Sequence, residues 1–196
     1  MKKCIFTFLV AVLPGSALLQ SAYAQQLTPD PNAWRPVSYT DLQLPGEINR
    51  SFVEIWADHI TRNNKEYIDK GDTRFAVGNA PVTESHFVVR SPTKTVVLSV
   101  LNTATGCTII GRDEIARTVL KTCPMRLAVY AGDDSIVLDA GTGCFLEFAA
   151  GEYTPDPTRS ASYASYDVPT RTIRTGAILA KEAIDRCIIK VPVPRT

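Results

Sequence analysis

One eight-residue phrase occurs twice in the sequence, and both copies end in a cysteine. The first copy is VLNTATGC, ending at Cys107, and the second is VLDAGTGC, ending at Cys144. In each copy an apolar run meets Asn or Asp, then small residues and a Gly, and then a new apolar run. This order is typical of a β-hairpin with a short loop. The phrase therefore predicts two hairpins, each with a cysteine at the start of its return strand.

The residues that follow each phrase are also alike. Segments 112–123 and 176–187 have apolar residues at helical spacing, which predicts one helix ending at a cysteine in each half of the chain. We therefore interpret residues 95–131 and 135–193 as two tandem ββαβ-like units. The alternative is two unrelated hairpins that share turn chemistry. The units predict an α+β fold with a mostly antiparallel sheet and helices on one face.

A further helix is expected before the repeat. Between Glu47 and Asn63 the apolar residues recur on one stripe, and polar residues lie mostly opposite, which predicts an amphipathic helix. The apolar positions are Ile48, Phe52, Ile55, Trp56 and Ile60.

The N-terminus has the pattern of a secretory signal peptide. Two lysines precede the apolar run 4–13, and Ala22-Tyr23-Ala24 forms an A-x-A cleavage signal. The alternative is an uncleaved anchor helix. We expect cleavage near Ala24 and a periplasmic or secreted mature protein. Residues 25–46, rich in Pro and polar residues, are expected to form an extended lead-in, and residues 47–196 a single domain.

The predicted export of the chain indicates which chemical state its cysteines adopt. An even number of cysteines in an exported chain is typical of disulfides. Three pairings are possible, and we favour the local one because it needs no geometry between the two units. Reduced thiols and a zinc site are the alternatives, although the spacing lacks close C-x2-C pairs. The favoured bonds are Cys107–Cys123 and Cys144–Cys187.

Composition argues against several classes of partner. Loss of Lys2 and Lys3 leaves 19 of the 21 Lys and Arg against 20 Asp and Glu. A balance this neutral gives no electrostatic reason to expect nucleic acid binding. We expect no stable membrane insertion of the mature chain, because no later apolar run is long enough to cross a bilayer. No motif for a cofactor is present, so none is expected.

Catalytic motifs are also missing. The sequence has no G-x-S-x-G and no H-E-x-x-H, and its two histidines are His59 and His86. We assign no catalytic and no metal-ligating residues. The alternative is a small secreted hydrolase whose site is assembled from distant His and carboxylate residues.

The segment 151–171 is the strongest candidate for a contact surface. It has no periodicity, so we expect a long loop. Tyrosine and arginine dominate binding hot spots, which predicts a non-enzymatic module that binds a protein partner, of the inhibitor, immunity or envelope-assembly type. A solvated connector is the alternative. The predicted partner-binding residues are Tyr153, Arg159, Tyr163 and Tyr166.

Overall fold

The computed structural model of the protein describes residues 34–42, 47–69, 82–148 and 156–195. The predicted signal peptide lies outside these ranges. The elements in chain order are β1 (Arg35–Pro36), β2 (Ser38–Asp41), α1 (Glu47–Asp69), β3 (Val82–Ser91), β4 (Lys94–Thr103), β5 (Thr108–Asp113), β6 (Thr118–Ala131), β7 (Asp134–Phe148), β8 (Ala161–Asp167), β9 (Thr172–Leu179), β10 (Glu182–Ala183), a 3-10 turn (Asp185–Cys187) and β11 (Ile189–Pro192).

The strands form two antiparallel sheets. In the large sheet the order is β2-β3-β4-β6-β5, and β7 lies along the other side of β6. In the small sheet the order is β1-β8-β9-β10, with β11 also on β9. The predicted extended lead-in supplies one edge strand to each sheet, because β1 pairs with β8 and, after Val37, β2 pairs with β3.

The large sheet is covered on both faces in its middle. Successive residues of a strand point to opposite faces. On β4, Val96 and Leu98 pack in the core that the two sheets share, whereas Val97 and Leu101 pack in a second core under α1. A continuous apolar run such as TVVLSVL is what a strand buried on both faces requires. The layers are therefore helix, large sheet and small sheet.

The predicted amphipathic helix is confirmed and is longer than expected. It continues from Glu47 to Asp69 rather than ending at Asn63. Phe52, Ile55 and Trp56 are its buried anchors on the large sheet. Burying an apolar stripe is the main source of stability for such a helix, so the sequence pattern and the packing agree.

The α+β class with helices on one face is wrong, because both later helices are absent. Residues 112–123 form the end of β5, a turn and the start of β6; Arg117 has φ 48° there, a turn conformation rather than a helical one. Residues 176–187 include the end of β9 and a turn at Ala180 and Lys181, with φ 53° and 73°. In both places apolar positions fit a helical spacing, but cross-strand pairing determines the structure.

The two ββαβ-like units are wrong for the same reason, and the two phrases also differ in conformation. The first phrase ends β4 and turns before β5. The second runs through β7, which is one strand from Asp134 to Phe148 and changes only its register opposite Pro124–Arg126. Gly141 at φ 82° marks this irregularity. The expected long loop 151–171 is also wrong over its described part, because it contains β8.

The structure contains the two disulfides that we favoured from the sequence. Cys107–Cys123 joins the start of β5 to β6 within the large sheet. Cys144–Cys187 joins β7 to the 3-10 turn and so ties the large sheet to the small one. The predicted presence of disulfide bonds is therefore confirmed, although the two tandem units on which the choice of pairing rested are not present.

Candidate functional site

The four predicted partner-binding residues do not form one surface. Tyr153 lies outside the described residues. Tyr163 and Tyr166 are both on β8, but an odd spacing places their side chains on opposite faces of the small sheet. Tyr166 packs against the core between the sheets. The hydroxyl of Tyr163 donates to the carbonyl of Pro157 at 2.6 Å.

Trp34, an aromatic residue of the extended lead-in, contacts the small sheet. Its ring lies against Gly176, where a Cβ atom would be 3.4 Å from the indole. Gly176 pairs with Tyr163 across the sheet, so the two aromatic residues lie near each other on the outer face. Half of the Trp34 side chain stays exposed. The only sequence signal for this placement was that Trp34 stands in an extended lead-in.

Arg159 has a structural contact rather than a free guanidinium. Its Nε and one terminal nitrogen lie 2.7 Å from the two carboxylate oxygens of Asp113, which is buried at the end of β5. Ser160 donates to the same carboxylate at 3.1 Å, and the backbone N–H groups of Ile115 and Ala116 donate as well. The hydrogen bond from Arg159 holds the pKa of Asp113 down to about 2. The contact ties the β5–β6 turn to the chain entering β8.

A polar chain lies under α1 and contains the residue types of a hydrolase triad. Glu84 on β3 is fully buried; its Oε1 is 2.6 Å from Nδ1 of His86, and its Oε2 accepts from Ser99 Oγ at 2.9 Å. Trp56 donates its indole N–H to the same Ser99 oxygen at 2.9 Å. The ring of His86 stacks on Phe52 with centroids 4.5 Å apart.

The hydrogen bonds among Glu84, His86 and Ser99 do not activate the serine as a nucleophile. In a Ser-His-acid triad the imidazole accepts the serine proton and the acid orients the imidazole. Here both Ser99 and His86 contact Glu84, so the serine proton is directed at the carboxylate. Ser99 is fully buried, which leaves no access for a substrate. We interpret the chain as a set of bonds that fixes α1 on the large sheet.

His59 is likewise part of a packed cluster. Both terminal nitrogens of Arg126 donate to the Asp58 carboxylate at 2.7 Å, while its guanidinium lies 4.9 Å from the centre of the Trp56 ring. Arg126 holds the pKa of Asp58 down to about 2. Burial, followed by the charge of Arg126, lowers the pKa of His59. His59 also meets the edge of Trp56, with ring centroids 5.3 Å apart.

Cavities and clusters offer little room for a small ligand. The space between the sheets near Ser85, Ser162 and the Cys144–Cys187 bond has a volume of about 20 Å³, which is enough for one water molecule. Within the described residues no group of three His, Cys, Asp or Glu side chains could hold a metal ion. Across those ranges, no helix has the length and hydropathy needed to cross a membrane.

The first half of β7 is an open edge of the large sheet in the part of the chain that the structure describes. From Asp134 to Asp139, which we call the edge segment, each residue pairs in register with β6, from Ala131 back to Arg126. Among the described strands β7 pairs with β6 alone, so its outer backbone groups have no strand partner. Three consecutive apolar side chains there are 39–45% exposed: Ile136, Val137 and Leu138.

The other sheet edges are better protected than the edge segment. Natural proteins shorten, bend or charge their edge strands to prevent pairing with other chains. β2 has only four residues, and β5 is interrupted by a bulge between Ile109 and Gly111. The edge segment has six regular pairs and an apolar centre. It is therefore the candidate binding site of this fold.

The sequence could identify the edge segment as a strand but not as an edge. The segment SIVLD has the apolar run of a buried strand, and no feature of the local sequence shows that one side of β7 lacks a neighbouring strand among the described residues. Exposure depends on which strands pair at long range, and this information is absent from the local pattern.

Comparisons with protein-family models, with curated proteins and with solved structures find no match for this chain.

Proposed function

We propose that this protein is an exported, disulfide-stabilised module that binds a protein partner, and that the partner adds an extended strand to the edge segment. The observation that carries the proposal is a regular sheet edge with an exposed apolar centre at Ile136, Val137 and Leu138. Strand addition of this kind obtains affinity from main-chain hydrogen bonds and specificity from alternate side chains.

Export is supported by the N-terminal sequence and by the disulfides. A basic start, an apolar run and the signal Ala22-Tyr23-Ala24 precede the rest of the chain. Disulfides persist in oxidising compartments such as the periplasm or the extracellular medium, and Cys107–Cys123 and Cys144–Cys187 are compatible with such a location.

Export is tested by expressing the full chain in a bacterial host and separating the cell fractions. We expect the periplasm or the medium to contain a chain that begins near Gln25, with all four remaining cysteines oxidised. A full-length, reduced chain confined to the cytoplasm would contradict this part of the proposal.

Partner binding is tested by site-specific photo-crosslinking in the same cells. Ser135 is exposed on the edge segment, and we expect a photoreactive amino acid in its place to trap a specific protein. The added change Val137→Lys places a charge at the apolar centre and should remove the adduct. The matched control is a photoreactive residue at Ile115, which is 81% exposed in the β5–β6 turn. Equal adducts at Ile115, or adducts that survive Val137→Lys, would contradict binding at this edge.

A further inference from the structure

We infer that the strand accepted by the edge segment has an apolar centre and a basic residue at each end. The inference rests on the proposed function and adds the chemistry of the partner. It follows from how charge and apolar surface are distributed along β7 and around it.

The ends of the edge segment are acidic, and their carboxylates are exposed. Asp133 lies in the turn that precedes the edge segment, Asp134 begins the segment, and Asp139 ends it. The Asp139 carboxylate accepts a hydrogen bond from the backbone N–H of Gly141 at 2.7 Å, and its exposure leaves it open to a further donor. A strand added to this edge would therefore lie beside an acidic group at each of its ends and beside apolar side chains at its centre.

The nearby basic groups have other partners. Arg126, which pairs with Asp139 across the strands, directs its guanidinium to Asp58 and to the carbonyl of Ile55. Lys94, at the start of β4, donates to the carbonyl of Pro194 at 3.0 Å. Arg126 and Lys94 therefore direct their charged groups to other partners and not to the carboxylates of the edge segment.

The distance between the carboxylates of the edge segment determines how far apart the basic residues of the partner strand must lie. Strands rise about 3.3 Å per residue, so Asp134 and Asp139 are roughly 17 Å apart along the strand. A partner strand would need basic residues about five positions apart with apolar residues between them. Because both ends are acidic, the match holds for either direction of the added strand.

A second copy of the chain fits the edge less well. Antiparallel self-pairing centred on Val137 would place Asp139 of each copy opposite Ser135 of the other. The acidic start of one copy would then adjoin the acidic end of the other at both ends of the interface. Like charges brought together on paired strands are destabilising, and a basic strand would remove this repulsion.

The test uses three designed peptides with the oxidised protein. Their shared centre is Thr-Val-Ile-Val, which places the inner flanking residues five positions apart, and two Lys, two Ser or two Glu residues flank it on each side. In fluorescence anisotropy we expect the Lys-flanked peptide to bind at least tenfold more tightly than the Ser-flanked one, and the Glu-flanked peptide to bind most weakly. The preference should shrink as salt rises from about 0.05 to 0.5 M, because salt screens exposed charges.

Variants separate the charge inference from strand addition itself. Asp134→Asn with Asp139→Asn should reduce the tenfold preference for Lys flanks to less than threefold, while the Ser-flanked peptide binds as before. Val137→Lys should weaken the binding of both peptides at least tenfold, and the control Ile115→Lys should change neither.

Equal binding of the Lys- and Ser-flanked peptides, with both lost in Val137→Lys, would overturn the basic-end inference and leave the proposed function standing. Peptide binding that Val137→Lys does not change would overturn both. A dimer in sedimentation velocity that Val137→Lys dissociates, without binding of any peptide, would assign the edge to a second copy and also overturn the inference.

Discussion

Arg159 and the buried carboxylate of Asp113 form an ion pair that connects the two sheets, with Nε 2.7 Å from Oδ2. Asp113 ends β5 of the large sheet, and Arg159 lies just before β8 of the small sheet. The same carboxylate accepts from two backbone N–H groups of the β5–β6 turn. One side chain therefore holds a turn in shape and fixes the position of a strand 48 residues further along the chain, at Ala161.

This pair predicts a loss of stability in acid. The pKa of Asp113 is about 2 in the folded protein because Arg159 donates to it, whereas a free Asp titrates near about 3.9. Since the folded pKa is the lower one, the stabilisation is complete above about pH 4 and is lost as the pH falls toward about 2. Asp58, which Arg126 holds at a pKa of about 2, acts in the same direction.

We therefore expect the urea midpoint of the wild-type protein to fall between about pH 4 and pH 2. Asp113→Asn should lower the midpoint at pH 6 and flatten part of the acid slope. Asp133→Asn, in an exposed turn, is the matched control and should leave the slope unchanged. An unchanged acid slope in Asp113→Asn would show that the pair is not the source of the pH dependence.

The buried carboxylate of Glu84 predicts a large effect on stability. Glu84→Ala would leave the donors of Ser99 and His86 without their acceptor under α1. Each unsatisfied buried group costs about 1–3 kcal/mol, so we expect unfolding to become easier by about 2–4 kcal/mol in urea titrations. Glu54→Ala, on the exposed face of α1, should change stability by less than about 0.5 kcal/mol. Equal small effects of both changes would contradict a structural role for this chain of bonds.

Local patterns in the sequence were sufficient for part of the fold. The apolar stripe of α1 is a property of neighbouring residues, because Phe52, Ile55 and Trp56 all face one sheet. The strand runs of β3 and β4 could also be predicted, since their β-branched residues are dense. The pairing Cys107–Cys123 joins positions 16 residues apart and was reachable by a local argument.

Other features depended on contacts between distant residues. Ala116 and Leu120 fit a helical stripe, yet Leu120 belongs to β6 and packs with Leu179 of the small sheet. Asp113 lies in the segment 112–123 that we expected to be helical, whereas its partner Arg159 lies 46 residues away. The exposure of Val137 depends on the absence of a strand beyond β7 among the described residues. None of these three features can be inferred from residues that are close in the sequence.

The disulfides predict unequal contributions to stability. The bond Cys144–Cys187 closes a loop with a sequence separation of 43, and Cys107–Cys123 one of 16. Loop-closure entropy gives about 4 and about 3 kcal/mol respectively. We expect the double change to Ala at 144 and 187 to lower the free energy of unfolding more than the double change at 107 and 123. Mapping of tryptic peptides without reduction checks the pairing, and a peptide linking Cys107 to Cys144 would contradict it.

The two tyrosines of β8 should differ in their effects on stability and on partner binding. Tyr166 packs against the core between the sheets, so Tyr166→Ser should ease unfolding by about 1–2 kcal/mol, roughly half the cost of emptying a fully buried aromatic site. Tyr163 lies on the other face, where Tyr163→Phe removes only the hydrogen bond to the Pro157 carbonyl and should cost less than about 1 kcal/mol. Urea titration of both variants gives the stability, and photo-crosslinking from Ser135 gives partner capture. If Tyr163→Phe abolishes the adduct while the protein stays folded and Val137→Lys does not, the partner binds the outer face of the small sheet near Trp34 rather than the edge segment.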